Sequence, residues 1–176
     1  MPFDLNEKYI GAVISGLLYI AILVSIPFRR RSALKTAGNL VMKLSSASYR
    51  MFGIYILCAA IIAALPSRQF APYILVILYA TAVIGTEIGA RETRSWKIAG
   101  LYENAILWGM YLIRYEDIYA LPTISYEDDP ETVGVDFNSL QVILNNNKEV
   151  QLVFADREQR RQAVDFILGK RPDLKK

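Results

Sequence analysis

The sequence contains no histidine and a single cysteine, Cys58. Histidine is the usual general base, metal ligand and pH switch near neutral pH, so the commonest residue for these three functions is missing. A lone cysteine excludes a disulfide within the chain and a cysteine-based metal cluster. Both absences weigh against an enzyme and against a transition-metal protein.

Motifs that carry chemistry are missing as well. The sequence has no Gly-x-Ser-x-Gly, no P-loop and no Gly-x-Gly-x-x-Gly after a strand. Acidic residues crowd together once, but their spacing differs from that of an EF-hand loop, so we interpret them as a solvated loop. These acids are Glu127, Asp128, Asp129, Glu131 and Asp136. We therefore predict a protein that is not an enzyme, with no catalytic residue, no metal and no cofactor.

Charge is missing from long stretches of the N-terminal half. Residues 9–28 and 69–86 carry none, and roughly 20 apolar residues span the ~30 Å hydrocarbon core of a bilayer. The chain is 53% hydrophobic, with a mean hydropathy of +0.25. The pattern predicts a membrane region, residues 1–95, with three transmembrane helices at about residues 9–28, 45–65 and 70–90. Pro27 is expected to end the first of them.

Positive charge is concentrated on one side of this predicted membrane region. The loop between the first two helices, residues 29–50, holds several Arg and Lys residues and no acid, whereas the opposite side has only Lys8 and Arg68. The positive-inside rule then predicts a multi-pass membrane protein, with its N-terminus outside and its C-terminal domain in the cytoplasm. The basic segment is expected to be either a plain cytoplasmic loop or an amphipathic helix in the lipid headgroup layer.

Two features of the third predicted helix concern its contacts. Gly85 and Gly89 have the spacing that lets helix backbones approach closely, either within one chain or between copies of it. Glu87 lies four residues before Arg91, so these two are expected to form an ion pair one helical turn apart, near the cytoplasmic edge of the membrane. An acid within a membrane helix is also a candidate functional residue.

Residues 96–176 are predicted to form a small cytoplasmic α+β domain with a short basic tail. Alternating apolar residues indicate antiparallel strands, with one hairpin turning at residues 109–110 and a clearer one over residues 140–154. One helix follows. It is marked by the capping pair Asp156 and Gln159, the apolar stripe Ala163, Val164, Ile167 and Leu168, and the terminating Gly169. The pattern therefore predicts a curled antiparallel sheet with one C-terminal helix.

Two short sequence motifs in this domain resemble those of a known family: GLYENAI at residues 100–106 and, after a second strand, IRYEDI at residues 113–118. They resemble uncharacterised bacterial membrane proteins with a pleckstrin-homology-like (PH-like) cytoplasmic domain, the DUF5673 and YcxB-like groups. There, an E-x-G-I strand precedes an aromatic-acidic-acidic-Ile corner and a helix ends the domain. Ala105 stands here for the usual glycine, and Tyr115 for the usual tryptophan. The resemblance covers about residues 96–170. It implies a PH-like fold, the bacterial inner membrane as the location, and no established activity.

Two classes of function fit these features. In the first, which we favour, a scaffold or accessory membrane protein uses a non-catalytic PH-like domain to bind a protein partner or anionic lipid. In the second, the protein is an accessory subunit of a membrane transport or other multi-protein membrane complex. Membrane lipids and a protein partner or homo-oligomer are the expected partners, and nucleic acid is not, because lipid phosphate is the nearer anion. The candidate contacts are Arg29, Arg30, Arg31, Lys35, Arg157, Arg160 and Arg161, or the strand edge near residues 111–119.

Overall fold

The computed structural model describes residues 5–44, 50–122, 124 and 138–175. They belong to two compact units, which we call the helical unit and the mixed unit. The helical unit is Met1–Arg31 and Ala47–Trp96, and the mixed unit is Ser32–Ser46 and Lys97–Lys176. The acidic stretch at residues 127–136 and the expected start of the second helix near residue 45 lie outside the described residues.

Three α-helices supply the helical unit: α1 (Leu5–Ala37), α2 (Arg50–Ala64) and α3 (Pro72–Thr93), with a short 3-10 turn, Leu65–Ser67, after α2. Two stretches are long and apolar enough to cross a membrane, Tyr9–Ala37 and Pro72–Thr93. The apolar helix between them is shorter. The structure therefore confirms helices at the three predicted places, and two of them have the length and hydropathy of membrane spans.

The first helix does not end at Pro27, which was predicted to end it; α1 runs through this proline to Ala37. A proline removes one intrahelical hydrogen bond. The residues that follow it are mostly Arg, Lys, Leu and Ala, which favour helix strongly enough to continue it. The helix stops where Gly38 takes a left-handed backbone, with φ +85°, and its N–H donates to the Leu34 carbonyl at 3.1 Å.

The basic segment at residues 29–50 is neither a plain loop nor a separate amphipathic helix over its described part. It completes α1 and then forms strand β1 (Leu40–Lys43), which pairs antiparallel with β2 (Gly100–Tyr102). The two strands approach closely at Gly100, where a Cβ would stand 2.6 Å from the Met42 carbonyl oxygen. This pairing depends on a glycine about 60 residues away in the chain, so the local pattern of the basic segment did not predict that the segment forms a strand. The mixed unit therefore includes Ser32–Ser46 in addition to the predicted domain.

The mixed unit contains two antiparallel sheets and one helix. The four-stranded sheet has the order β1-β2-β3-β4 and the three-stranded sheet the order β5-β6-β7. The remaining elements are β3 (Ala105–Trp108), β4 (Tyr111–Arg114), β5 (Ile118–Ala120), β6 (Ser139–Leu144), β7 (Glu149–Val153) and α4 (Arg157–Lys170). In the described residues every strand pairs with a strand next to it in sequence order, and α2 and α3 lie between β1 and β2 in the chain.

Both predicted hairpins are confirmed. Strands β3 and β4 turn at Gly109, whose φ is +53°, and β6 and β7 turn at residues 145–148, where Asn147 has φ +59°. Asparagine and glycine tolerate this left-handed backbone, which explains why the turns fall there. Strand β5 is short and ends at Ala120.

The cap of α4 is confirmed: the Asp156 carboxylate accepts the backbone N–H of Gln159 at 2.7 Å, and the Gln159 side chain accepts the N–H of Ala155 at 2.9 Å. Its apolar stripe is buried in the main core together with β2, β3, β4, β6 and β7. Gly169 does not end the helix, which continues to Lys170. A glycine inside a helix destabilises it by only about 1 kcal/mol, so the last turn of α4 can include Gly169.

The two middle strands of the four-stranded sheet, β2 and β3, are buried on both faces. On one face, Leu101, Ile106 and Ile113 are 0–1% exposed and belong to the main core. On the other, Ala33 and Ala37 from the end of α1 pack against a second group from β2 and β3. That group is Tyr102, Ala105 and Leu107. This explains why β2 is buried at every position instead of alternating between buried and exposed residues, as a strand with one solvated face would.

Candidate functional site

An ion-paired group joins α1 to α3 within the helical unit. Arg29 Nη1 lies 2.7 Å from Glu87 Oε1, and Arg91 Nε lies 2.9 Å from the same oxygen. The predicted pair between Glu87 and Arg91 is thus confirmed. The contact with Arg29 was missed because 58 residues separate the partners, and helical spacing shows only pairs on one helix.

Two more arginines lie at the same end of the helices. Arg30 Nη2 donates to the Trp96 carbonyl at 3.0 Å. Arg94 directly follows α3, and its pKa is lowered by burial and by the nearby positive charge of Arg29. Its Nε atom is buried and has no hydrogen-bond partner in the part of the chain that the structure describes. We call Arg29, Arg30, Arg91 and Arg94, with Glu87, the arginine cluster.

The arginine cluster carries four positive charges and one negative charge. The side chains of Arg29, Arg91 and Glu87 are 38%, 63% and 26% exposed, so the group is accessible from outside the helical unit. In the described residues, the hydrogen bonds to Glu87 use one nitrogen each of Arg29 and Arg91. Since a guanidinium has five N–H donors, both retain donors for an anion.

Apolar surface adjoins the cluster on both helices. Phe28, next to Arg29, is 64% exposed. On α3, Ile84 and Ile88 are 59% and 49% exposed and share one helix face with Arg91. Trp96 packs edge-on against Phe52, with ring centroids 5.2 Å apart, and tryptophan is common at membrane–water interfaces. The cluster thus lies where an exposed apolar surface meets charge.

Gly85 and Gly89 both face α2 of the same chain. A Cβ at Gly85 would come 3.1 Å from Cys58 Sγ, and one at Gly89 would come 3.1 Å from Tyr55 Cε1. The Tyr55 hydroxyl in turn lies 2.8 Å from Thr93 Oγ1, in a buried hydrogen bond between the two helices. The small residues therefore permit close packing of α2 and α3 around a polar contact.

The other predicted basic contacts are dispersed. Arg31 and Lys35 are exposed along α1, and Arg157 and Arg161 are exposed on α4. Arg160, which was predicted to belong to the same surface of α4, is only 2% exposed, and its Nε donates to the Ser139 carbonyl at 2.7 Å. This prediction was wrong because Arg160 lies three, four and seven residues before members of the apolar stripe and so points into the core. That spacing was visible in the sequence.

A polar groove of about 490 Å³ opens in the mixed unit. It is lined by Thr36, Glu103, Asn104, Arg114, Tyr115, Glu116, Lys170 and Arg171. Arg171 donates to the Tyr115 carbonyl at 2.8 Å and pairs with Asp173 at 2.6 Å. Hydrogen bonds from Asn39 lower the pKa of Glu103. The groove brings together charges of both signs that already contact protein groups, which is typical of a structural surface.

At the strand edge near residues 111–119, Tyr119 is 67% exposed and Met110 is 36% exposed, whereas Ile113 and Ile118 are buried. The edge therefore presents isolated apolar side chains, which are common on protein surfaces. Among the described residues, no three Asp, Glu or Cys side chains are grouped so as to hold a metal ion.

Comparison of the chain with known protein families, curated proteins and solved structures finds no match in any of the three. The resemblance to bacterial PH-like membrane proteins therefore stays a prediction from residues 96–170.

Proposed function

We propose that this is an integral membrane protein of the bacterial inner membrane whose mixed unit is a non-catalytic, PH-like binding domain in the cytoplasm. In this proposal α1, α2 and α3 all span the membrane. The mixed unit binds a protein partner or anionic lipid, in a scaffold or accessory role.

The observation that carries the proposal is the exposed apolar surface of α1. Only 6% of its most apolar window is buried, and Ile14, Leu17 and Val24 are 53–63% exposed. Each such side chain, if left in water, forgoes ~1.5–3 kcal/mol of burial free energy. A bilayer removes this cost along the whole helix, which supports a membrane span.

The length of α2 supports a third span. Its 15 residues rise about 22 Å, and the 3-10 turn that follows adds about 6 Å, close to the ~30 Å hydrocarbon thickness. Ile56 and Leu57 on α2 are 71% and 59% exposed. An apolar helix of this length with lipid-compatible side chains fits beside α3, with which it packs at Gly85 and Gly89.

Polar side chains in the helices favour an anchored binding domain over a transport subunit. The hydroxyls of Thr81, Thr86 and Thr93 donate to carbonyl oxygens one turn earlier on α3, at 2.7–2.8 Å. Such bonds satisfy the hydroxyls within their own helix. Side chains that line a transport path face a shared cavity instead, and these three threonines bond their own backbone.

The PH-like assignment is supported by the composition of the mixed unit. Two antiparallel sheets and one C-terminal helix with a buried apolar stripe are the elements that a PH-like domain combines. Strand β1 completes the four-stranded sheet from the segment between α1 and α2. The chain passes between the helical unit and the mixed unit three times, which suits a scaffold tethered to the membrane.

Labelling of single cysteines tests the orientation. In a Cys58→Ser background, Ser67→Cys should react with an impermeant thiol reagent in intact cells, and Lys148→Cys should react only after permeabilisation. Both positions are exposed, whereas Ser139 is 7% exposed and unsuitable as a labelling site. The reverse pattern would invert the proposed topology, and labelling of both in intact cells would contradict it.

A further inference from the structure

We propose that the arginine cluster is a binding site for the phosphate of an anionic phospholipid. The inference rests on the membrane insertion proposed above and names the ligand that the helical unit takes. It is carried by three features of the cluster: its excess of positive charge, its position at the end of the apolar surface, and the unused donors of its guanidinium groups.

The charge balance of the cluster favours an anion. Glu87 neutralises one of four positive charges, and Arg29 and Arg91 share a single oxygen of its carboxylate. Like charges held close together repel each other, and the repulsion is strong where water is scarce. An anion in front of the cluster would relieve this repulsion and fill the donor capacity that Glu87 leaves unused.

Guanidinium chemistry fits an oxyanion such as phosphate. A guanidinium presents paired N–H groups that match two oxygens of a phosphate or carboxylate. Arg94 Nε is buried without a hydrogen-bond partner in the described residues, which is costly unless a ligand supplies the acceptor. Glu87 holds Arg29 and Arg91 in place, so the cluster is organised before the anion arrives.

The position of the cluster, next to exposed apolar side chains, favours a lipid over a free anion as the source of the phosphate. Residues 9–28 are uncharged, and at 1.5 Å per residue roughly 20 residues cross the hydrocarbon core. Arg29, the next residue, therefore lies at the depth of the phosphate groups. On α3, exposed Ile84 and Ile88 share a face with exposed Arg91. An acyl chain along the isoleucines would place its phosphate at the arginine.

The test measures binding of phosphatidylglycerol to the full-length protein in mild detergent, by its effect on thermal unfolding and by native mass spectrometry. Phosphatidylcholine and inorganic phosphate are the comparison probes. The first variant is Arg91→Gln with Arg94→Gln. Its matched control is Lys148→Gln with Lys170→Gln, which removes the same charge from two exposed positions of the mixed unit that are not among the candidate lipid contacts.

We expect the wild type to prefer phosphatidylglycerol to phosphatidylcholine, and the Arg91 and Arg94 variant to bind phosphatidylglycerol roughly tenfold more weakly. The Lys148 and Lys170 control should bind it within about twofold of the wild type, because its charges lie outside the proposed site. The single variant Arg94→Gln guards against misfolding. Arg94 Nε makes no hydrogen bond in the described residues, so this variant should unfold like the wild type without lipid and still bind lipid more weakly.

Four outcomes would overturn the inference. The first three are no preference for phosphatidylglycerol, an equal loss in the Lys148 and Lys170 control, and inorganic phosphate protecting as well as the lipid. The fourth is co-purification of an acidic protein that the first variant loses while its lipid binding is unchanged. Extraction of the wild type from membranes by alkaline carbonate would instead refute the proposed membrane insertion. Retention in the membrane without a lipid preference would refute only the lipid site.

Discussion

The helical unit exposes large apolar side chains of the kind that the mixed unit buries. In the helical unit, Ile56 and Val76 are 71% and 63% exposed, whereas in the mixed unit Ile106 and Ile113 are 0% and 1% exposed. This difference is what the proposed membrane insertion of the helical unit predicts. In water an isoleucine is stable inside a core, and in a bilayer it is equally stable on the surface.

The units also satisfy their backbones differently. In the helical unit the backbone hydrogen bonds lie within α1, α2 and α3, as a lipid environment requires. In the sheets of the mixed unit they run between strands. Strand β1 bonds to β2, although α2 and α3 lie between these two strands in the sequence. The helical unit is therefore built mainly from local contacts, and the mixed unit depends on residues far apart in the sequence.

The largest expected effect comes from a charge in the core of the mixed unit. Ile167 is 0% exposed, so Ile167→Asp should destabilise this unit by about 4 kcal/mol or more, enough to unfold it, because a buried carboxylate has no partner there. Near-ultraviolet circular dichroism of the full chain in detergent measures the loss of packing. The full chain is needed because a fragment of residues 96–176 lacks β1.

Arg161→Ala is the control for that substitution, since Arg161 is exposed on the same helix. It should change the free energy of unfolding by no more than about 0.5 kcal/mol. A folded mixed unit in the Ile167→Asp variant would show that the α4 stripe does not hold the core.

A smaller effect should come from the contact that joins β1 to β2. At Gly100 a Cβ would stand 2.6 Å from the Met42 carbonyl oxygen and 2.7 Å from Leu40 Cδ1. Gly100→Ala must therefore push β1 away and should cost about 1–3 kcal/mol. The melting temperature of the mixed unit, followed by circular dichroism, measures this.

Gly169→Ala makes the same substitution in α4, where nothing lies within 4 Å of the new Cβ. It should stabilise the protein by about 0.5–1 kcal/mol, because alanine favours helix. Equal melting temperatures for the two variants would mean that β1 does not need the glycine, and would weaken its place in the sheet.

The smallest effect is expected between α2 and α3. Gly89→Ala brings a Cβ to 3.1 Å from the Tyr55 ring, and that ring is held by its hydrogen bond to Thr93. We expect a loss of about 1 kcal/mol, measured by thermal unfolding in detergent. Gly53→Ala on α2 is the matched control, since no atom lies within 4 Å there. A variant at Gly89 as stable as the one at Gly53 would argue against close packing at this crossing.

Features with a local cause were predictable from the sequence. Apolar runs showed the positions of the helices, because length and hydropathy suffice for that inference. Turn residues at 109–110 and 145–148 located both hairpins, and Asp156 with Gln159 located the start of α4. The pair between Glu87 and Arg91 followed from helical spacing alone. In each case the interacting residues lie within a few positions of one another.

Only the tertiary structure decided the features that join distant parts of the chain. The sequence showed neither that β1 belongs to the mixed unit nor that Arg29 pairs with Glu87. A strand of four residues gains its stability from its neighbour, and the neighbour here is chosen by the close approach at Gly100. Likewise, an arginine on α1 finds its acid on α3 only once the helices pack. Such pairings depend on contacts between separate elements, which local pattern does not encode.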